Sequence, residues 1–207
     1  IGGWAMVTEA EKDDYGWGVS AVYPNNPLYA RASLQRVGED LDPAVGFVRR
    51  PGIYEFFGLV SYELYPQGKI LNEVDLELNT QVDMSLDMDA LSEDIEFSTE
   101  LEFESGDRAE FALSRQRELF DKDFEIFDDI FVPAGNYNYW RGRVSMSTAP
   151  SRGWYAFAGT NFGGYPDGEK LGINGKIGWQ PSPSFSLNFG ADVDWFELEE
   201  IRVVILF

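Results

Sequence analysis

The chain has 207 residues, with 36 acidic against 16 basic side chains, a formal charge of −20, and neither cysteine nor histidine. Those counts exclude disulfide frameworks, cysteine nucleophiles, Ser-His-Asp triads and zinc or iron sites built on nitrogen and sulfur, and so acidic a balance argues against nucleic acid, whose binding rests on Lys and Arg. A mean hydropathy of −0.27 and the lack of any apolar run of about 18 residues exclude a membrane helix, but not a barrel whose strands alternate between lipid and lumen.

Taken in chain order, the pattern has a period of two almost throughout, the mark of half-buried strands. Trp4 to Ala10, Tyr15 to Tyr23 and Leu28 to Val37 alternate weakly, and Glu39 to Gly52 is irregular. Tyr54 to Leu64 alternates clearly, and Val74 to Met88 does so without a break: Val74, Leu76, Leu78, Val82 and Met84 against Asp75, Glu77, Asn79, Gln81 and Asp83. Ile95, Phe97, Leu101 and Phe103 alternate with Asp94, Glu96, Glu100, Glu102 and Glu104. Ala109 to Leu119 follows, then a second irregular stretch, Phe120 to Asn136. Four further alternating segments are Trp140 to Thr148, Trp154 to Phe162, Leu171 to Trp179 and Phe185 to Trp195, and Ile201 to Phe207 closes the chain with an imperfect alternation. Turn residues such as Asn25-Asn26-Pro27, Pro66-Gln67-Gly68 and Pro166-Asp167-Gly168 punctuate the segments.

About twelve strands and no 3.6-residue period predict a single all-β, antiparallel domain over residues 1–207. A fifteen-residue strand would run about 50 Å, well beyond the usual 5 to 6 residues of a sandwich strand. That length, the aromatics Tyr54, Tyr62, Trp140, Trp154, Trp179 and Trp195 near the ends of apolar faces, and the terminal Phe207 favour an up-and-down transmembrane β-barrel, or the C-terminal portion of a larger one. A large soluble sandwich or solenoid with one buried face gives the same period. Ile1 in place of Met marks a mature form or a fragment.

Between Lys69 and Arg108 there are thirteen acids and no base. Asp75, Glu77, Asp83, Asp87, Asp94, Glu96, Glu100, Glu102 and Glu104 define a candidate acidic face, either a cation-favouring lumen or an ordinary solvated wall. Arg115, Arg117, Arg141 and Arg143 are the candidate interior bases that would offset it. Loop acids Glu39, Asp40 and Asp42, and Asp121, Asp123, Asp128 and Asp129, keep Ca²⁺ open as the one cofactor, although neither group has EF-hand spacing. No catalytic set emerges; a glycosidase pair stays open, since sequence cannot show carboxylate separation.

Three stretches carry a resemblance: Asp42-Pro43-Ala44-Val45-Gly46-Phe47-Val48-Arg49-Arg50, Val132-Pro133-Ala134-Gly135-Asn136-Tyr137 and Trp179-Gln180-Pro181-Ser182-Pro183. In this order they resemble stretches of an uncharacterised group of Gram-negative proteins in which a family 9-like carbohydrate-binding module precedes a C-terminal outer-membrane β-barrel domain. The likeness covers most of this chain. It implies an outer-membrane location, the lipid bilayer as partner and a link to extracellular polysaccharide. The carbohydrate module itself has no counterpart here. The expected roles are thus a porin-like channel, anchor or assembly platform of the cell envelope, a carbohydrate-binding or polysaccharide-processing surface protein, or the barrel subunit of a larger complex with a protein partner.

Overall fold

A computed structural model describes residues 1–8, 14–41, 50–127, 130–198 and 201–206. The described residues form strands and turns with no helix. The strands are β1 Gly2–Thr8, β2 Asp14–Pro24, β3 Leu28–Val37, β4 Ile53–Leu64, β5 Leu71–Ser85, β6 Ala90–Phe103, β7 Arg108–Phe120, β8 Phe124–Phe127, β9 Ile130–Val132, β10 Gly135–Ser147, β11 Trp154–Tyr165, β12 Gly168–Ser182, β13 Phe185–Leu198 and β14 Ile201–Leu206. Twelve of them build one antiparallel meander in chain order, with β7 pairing β10 across the small β8–β9 hairpin. Each of the twelve alternating segments read from the sequence corresponds to one of these strands. The hairpin falls inside the irregular stretch Phe120 to Asn136, where four- and three-residue strands are too short to show a period.

The barrel expectation is met only in part. The sheet is open, since β1 and β14 each have one neighbour and do not pair with each other among the described residues. Both are short. β14 pairs only with Val193–Leu198 of β13, so Phe185–Asp192 has no strand on that side among the described residues.

Because directly paired residues share a face, the register assigns every side chain to one side. One row crosses eleven strands without a charge: Tyr23, Ala30, Val60, Leu78, Phe97, Leu113, Gly142, Phe162, Leu171, Trp195 and Val204. Among the described residues no second layer covers this face. Leu78 is 48% exposed, Phe97 49% and Leu113 51%. The next row is polar over most of its length: Ser61, Glu77, Ser98, Ala112, Arg143, Asn161, Gly172 and Asp194. Burial is found on this second side, where Asp83 and Ser114 are buried outright. Among the described residues little besides the β8–β9 hairpin lies over this polar side, where Arg143 and Glu96 reach each other across an intervening strand.

The two long connections, residues 38–52 and 121–134, lie at the same end of the strands, here called the upper end; the longest at the lower end are residues 65–70 and 148–153. At the upper end the β8–β9 hairpin folds over the polar side. Its Val132 is almost completely buried, and Phe120 of β7 stacks on Phe124 of β8 at 5.6 Å.

Candidate functional site on the polar face

The polar face carries two regions of opposite charge. On the lower half of β4 to β7, four carboxylates stand directly opposite one another in a single row: Glu63, Asp75, Glu100 and Glu110. Glu73 and Glu102 form a second pair below them, and Glu77 sits one row above. Like charges placed opposite across strands each cost about 0.2–1 kcal/mol. The bases that answer them come from β7 itself and from β10. Arg108 reaches Glu102 at 2.8 Å and Glu100 at 3.6 Å, and Arg143 of β10 bridges Glu110 at 2.9 Å and Glu96 of β6 at 3.2 Å. That last contact passes over β7, which presents only Ser114 and Ala112 there. The second region holds Arg141, Arg143, Lys170 and Lys176 on β10 and β12. Lys170 pairs with Asp194 at 2.9 Å. Between the two regions Glu96, Gln116, Arg143, Asn161 and Lys170 line a polar cleft of about 320 Å³.

Of the predicted acidic face, Asp75, Glu77, Asp83, Asp94, Glu96, Glu100 and Glu102 stand on the polar side. Asp87 and Glu104 do not. β5 ends at Ser85 and β6 at Phe103, so both fall in turns at opposite ends. The left-handed Met88 (φ 69°) completes the first of these turns, and alternation carried on by chance past the strand end.

The bases divide as well. Arg141 and Arg143 are on the polar face, whereas Arg115 and Arg117 are on the apolar one, level with Ile95 and Glu93. Arg115 pairs across the ladder with Trp140, and its guanidinium lies 3.9 Å from Glu93. A long base beside Trp and Glu at the margin of an apolar band is a snorkelling arrangement. The parity of β7 held the signal: Phe111, Leu113, Arg115 and Arg117 are all odd-numbered.

The aromatics mark margins on that same face. Tyr54 and Tyr62 lie eight residues apart on β4, about 26 Å along the strand. Trp195 and Leu187, which faces Trp179, have the same spacing on β13. Trp154 stacks on Trp179 at 5.5 Å, and Trp17 meets Tyr54 edge-on at 6.4 Å. At the chain's end the apolar residues of β14 occur at both parities, and the ladder decides which of them faces which side. Val204, exposed and opposite Trp195, continues the apolar side, while Ile205 is opposite Asp194. Phe207 lies outside the described residues.

In the family-motif loop, Asp42, Pro43, Gly46, Phe47 and Arg49 lie outside the described residues, and Arg50 lies on the wall of a cavity at the upper end. Of the loop acids considered for Ca²⁺, Asp123 accepts the Ala134 amide at 2.9 Å and so ties the base of the hairpin, while the Asp40 amide donates to Asp14. Asp42, Asp128 and Asp129 are outside the described residues. In the lower turns, Asp107 accepts from the Ser105 hydroxyl, the Ala149 amide and Arg152, which hold its carboxyl below the usual range. The Tyr65 hydroxyl is pushed up, chiefly because it donates to Glu63.

Sequence reasoning missed Glu110, Glu118, Tyr139, Tyr165 and Lys170. Strand parity marks Glu110, Tyr139 and Lys170 as polar-face positions, but only cross-strand register brings them beside the acids. No family model, curated protein or solved structure matches the chain.

Proposed function

We propose that this chain is a membrane-spanning β-barrel protein of an outer membrane, with its apolar face toward lipid and its polar face around a water-filled, cation-favouring passage. The observation that carries this reading is the exposed apolar face. An uncharged row crosses eleven strands with Leu78, Phe97 and Leu113 about half exposed and no described layer over them, while most carboxylates of β5 and β6 and the bases of β10 and β12 gather on the opposite side, where Asp83 is buried. In water, an uncovered apolar surface of that extent drives aggregation; in a bilayer it is the lipid contact. At a strand tilt of about 40° the aromatic margins on β4 stand about 20 Å apart in height, within about 5 Å of an apolar band about 25 Å tall. The two longest connections, residues 38–52 and 121–134, share one end, as the longer extracellular loops of such barrels do. An acidic row on the inner wall concentrates cations near it.

The test is reconstitution. Purified protein inserted into planar bilayers under a KCl gradient is expected to conduct, with a reversal potential of the sign set by K⁺. Protein that stays monodisperse without detergent and gives no conductance would refute the proposal.

A second reading is favoured by the edges. Phe185–Asp192 of β13 offers unpaired backbone groups, which the hydrocarbon region does not tolerate. In this reading strands of another chain complete the wall. Cross-linking from Asn188→Cys carrying a thiol-coupled photoreactive group separates the two: attachment within one chain to β1 or β2 supports self-closure, and attachment to a second polypeptide supports a composite barrel.

A further inference from the structure

At the upper end of the polar face, a cavity of about 610 Å³ opens beneath the β8–β9 hairpin, between β5, β6, β7, β10 and the β11–β12 turn. Its charged wall consists of Asp83, Glu118, Arg50 and Arg141. Two of these are already matched. Arg141 is held between the rings of Tyr139 and Tyr165, 5.1 Å from each centroid, and donates from Nε to the Gly164 carbonyl at 3.1 Å. Glu118 accepts the Tyr139 hydroxyl. The other two are not. Asp83 is 4% exposed, and its Oδ1 has no hydrogen-bond partner among the described residues. Arg50, half-buried, makes no ion pair with a described residue.

A carboxylate oxygen removed from water without a donor is costly, and such a group is ordinarily paired. The vacant acid and the vacant base share one cavity without reaching each other. Phe120, Phe124 and Val132 supply an apolar wall beside them. A hard metal ion requires about six or more oxygens, whereas this cavity offers two carboxylates, one of them already engaged by Tyr139, and sets two guanidinium groups beside them. A ligand with a single charge would satisfy one of the two groups and face the other unpaired.

We propose that this cavity binds a zwitterion of the amino-acid or short-peptide type, with its ammonium group on Asp83, its carboxylate on Arg50 and an apolar side chain against Phe120, Phe124 and Val132. The volume suits a ligand of that size. The site is built by side chains on one face of the sheet and by the hairpin, so it stands whether or not the sheet spans a bilayer.

The experiment is calorimetric titration of the full chain, in the detergent or buffer that keeps it folded, with L-phenylalanine and with the dipeptide L-leucyl-L-phenylalanine. Phenethylamine and 3-phenylpropanoate, each lacking one charge, are the comparison ligands. At least one zwitterion is expected to bind, and each single-charge analogue to bind about 10-fold or more weakly, as loss of a charge-assisted hydrogen bond implies. Asp83→Asn and Arg50→Gln are expected to weaken the zwitterion by the same factor, with circular dichroism unchanged. Absence of zwitterion binding at millimolar concentration overturns the proposal, as does equal binding of phenethylamine. Should Asp83→Asn fail to fold, Arg50→Gln and the analogue pair decide the matter on unaltered strands. Conductance measured on the same preparation reports separately on the passage.

Discussion

Leu78 is the eighth of fifteen residues of β5 and stands in the uncharged row, with Val60 and Phe97 on either side. At about 3.3 Å per residue the strand is about 50 Å long, and a tilt of about 40° gives it a height of about 38 Å. Seven residues above and seven below place Leu78 near the middle of any apolar band the strand crosses. Leu78→Arg therefore puts a guanidinium near the bilayer midplane, where such a substitution costs about 2–4 kcal/mol. That is a shift of roughly 30- to 900-fold in the folding equilibrium. In water the same change, at a side chain 48% exposed, would stay within about 0.5 kcal/mol. Urea titration of the protein folded into vesicles, followed by tryptophan fluorescence and by gel migration without heating, gives the difference. Asn79→Arg, one residue along on the polar face, is the matched control and is expected to be near neutral. A cost below about 0.5 kcal/mol for Leu78→Arg, or equal costs for the two variants, would refute the assignment of faces to lipid and lumen.

Arg143→Gln removes the base bridging Glu96 and Glu110, and should raise the K⁺ over Cl⁻ permeability ratio in the bilayer recording, with little change in insertion. Gly163 has φ +123°, and a methyl group there would run into the Trp140 carbonyl oxygen; Gly163→Ala is expected to cost about 1–3 kcal/mol in the urea titration. Asp107, whose carboxyl is held below the usual range by Ser105, Ala149 and Arg152, stabilises its turn above the ordinary carboxylate pKa, and that contribution fades as pH falls through the depressed value. Hydrogen exchange at the Ala149 amide should therefore show protection that drops toward strongly acidic pH in the wild type and is already low at neutral pH in Asp107→Asn.

The twelve strands were legible because each presents one apolar and one polar face, and period-two alternation survives even where β-propensity is weak. Val74 to Met84 is the clearest case. Strand ends were not legible, since Asp87 and Glu104 keep the alternating parity inside turns that are fixed by backbone conformation at Met88 and by the Gly106 turn. Arg115 and Arg117 were assigned by charge when parity pointed to the other face. The opposition of Glu63, Asp75, Glu100 and Glu110 depends on the register of three separate ladders, and no single strand's sequence encodes it. The same holds for the cavity holding Asp83 and Arg50, which needs the hairpin folded back over β7. Whether β1 meets β14 is a property of curvature summed over eleven strand pairs, and no local pattern reports it.

Part of the row of four opposed carboxylates reverses the usual effect of ionic strength. A protein held by exposed ion pairs loosens as electrolyte is added, because screening weakens attraction. Here Glu63 and Asp75, opposed on β4 and β5 and without an ion pair among the described residues, repel each other, and at 0.1 M salt the screening length of about 10 Å begins to quiet that repulsion. Moderate salt should then tighten β4 on β5 while loosening Arg143 and Lys170 from their partners. By that reasoning mobile counter-ions would do for Glu63 and Asp75 what Arg108 and Arg143 do for Glu100 and Glu110.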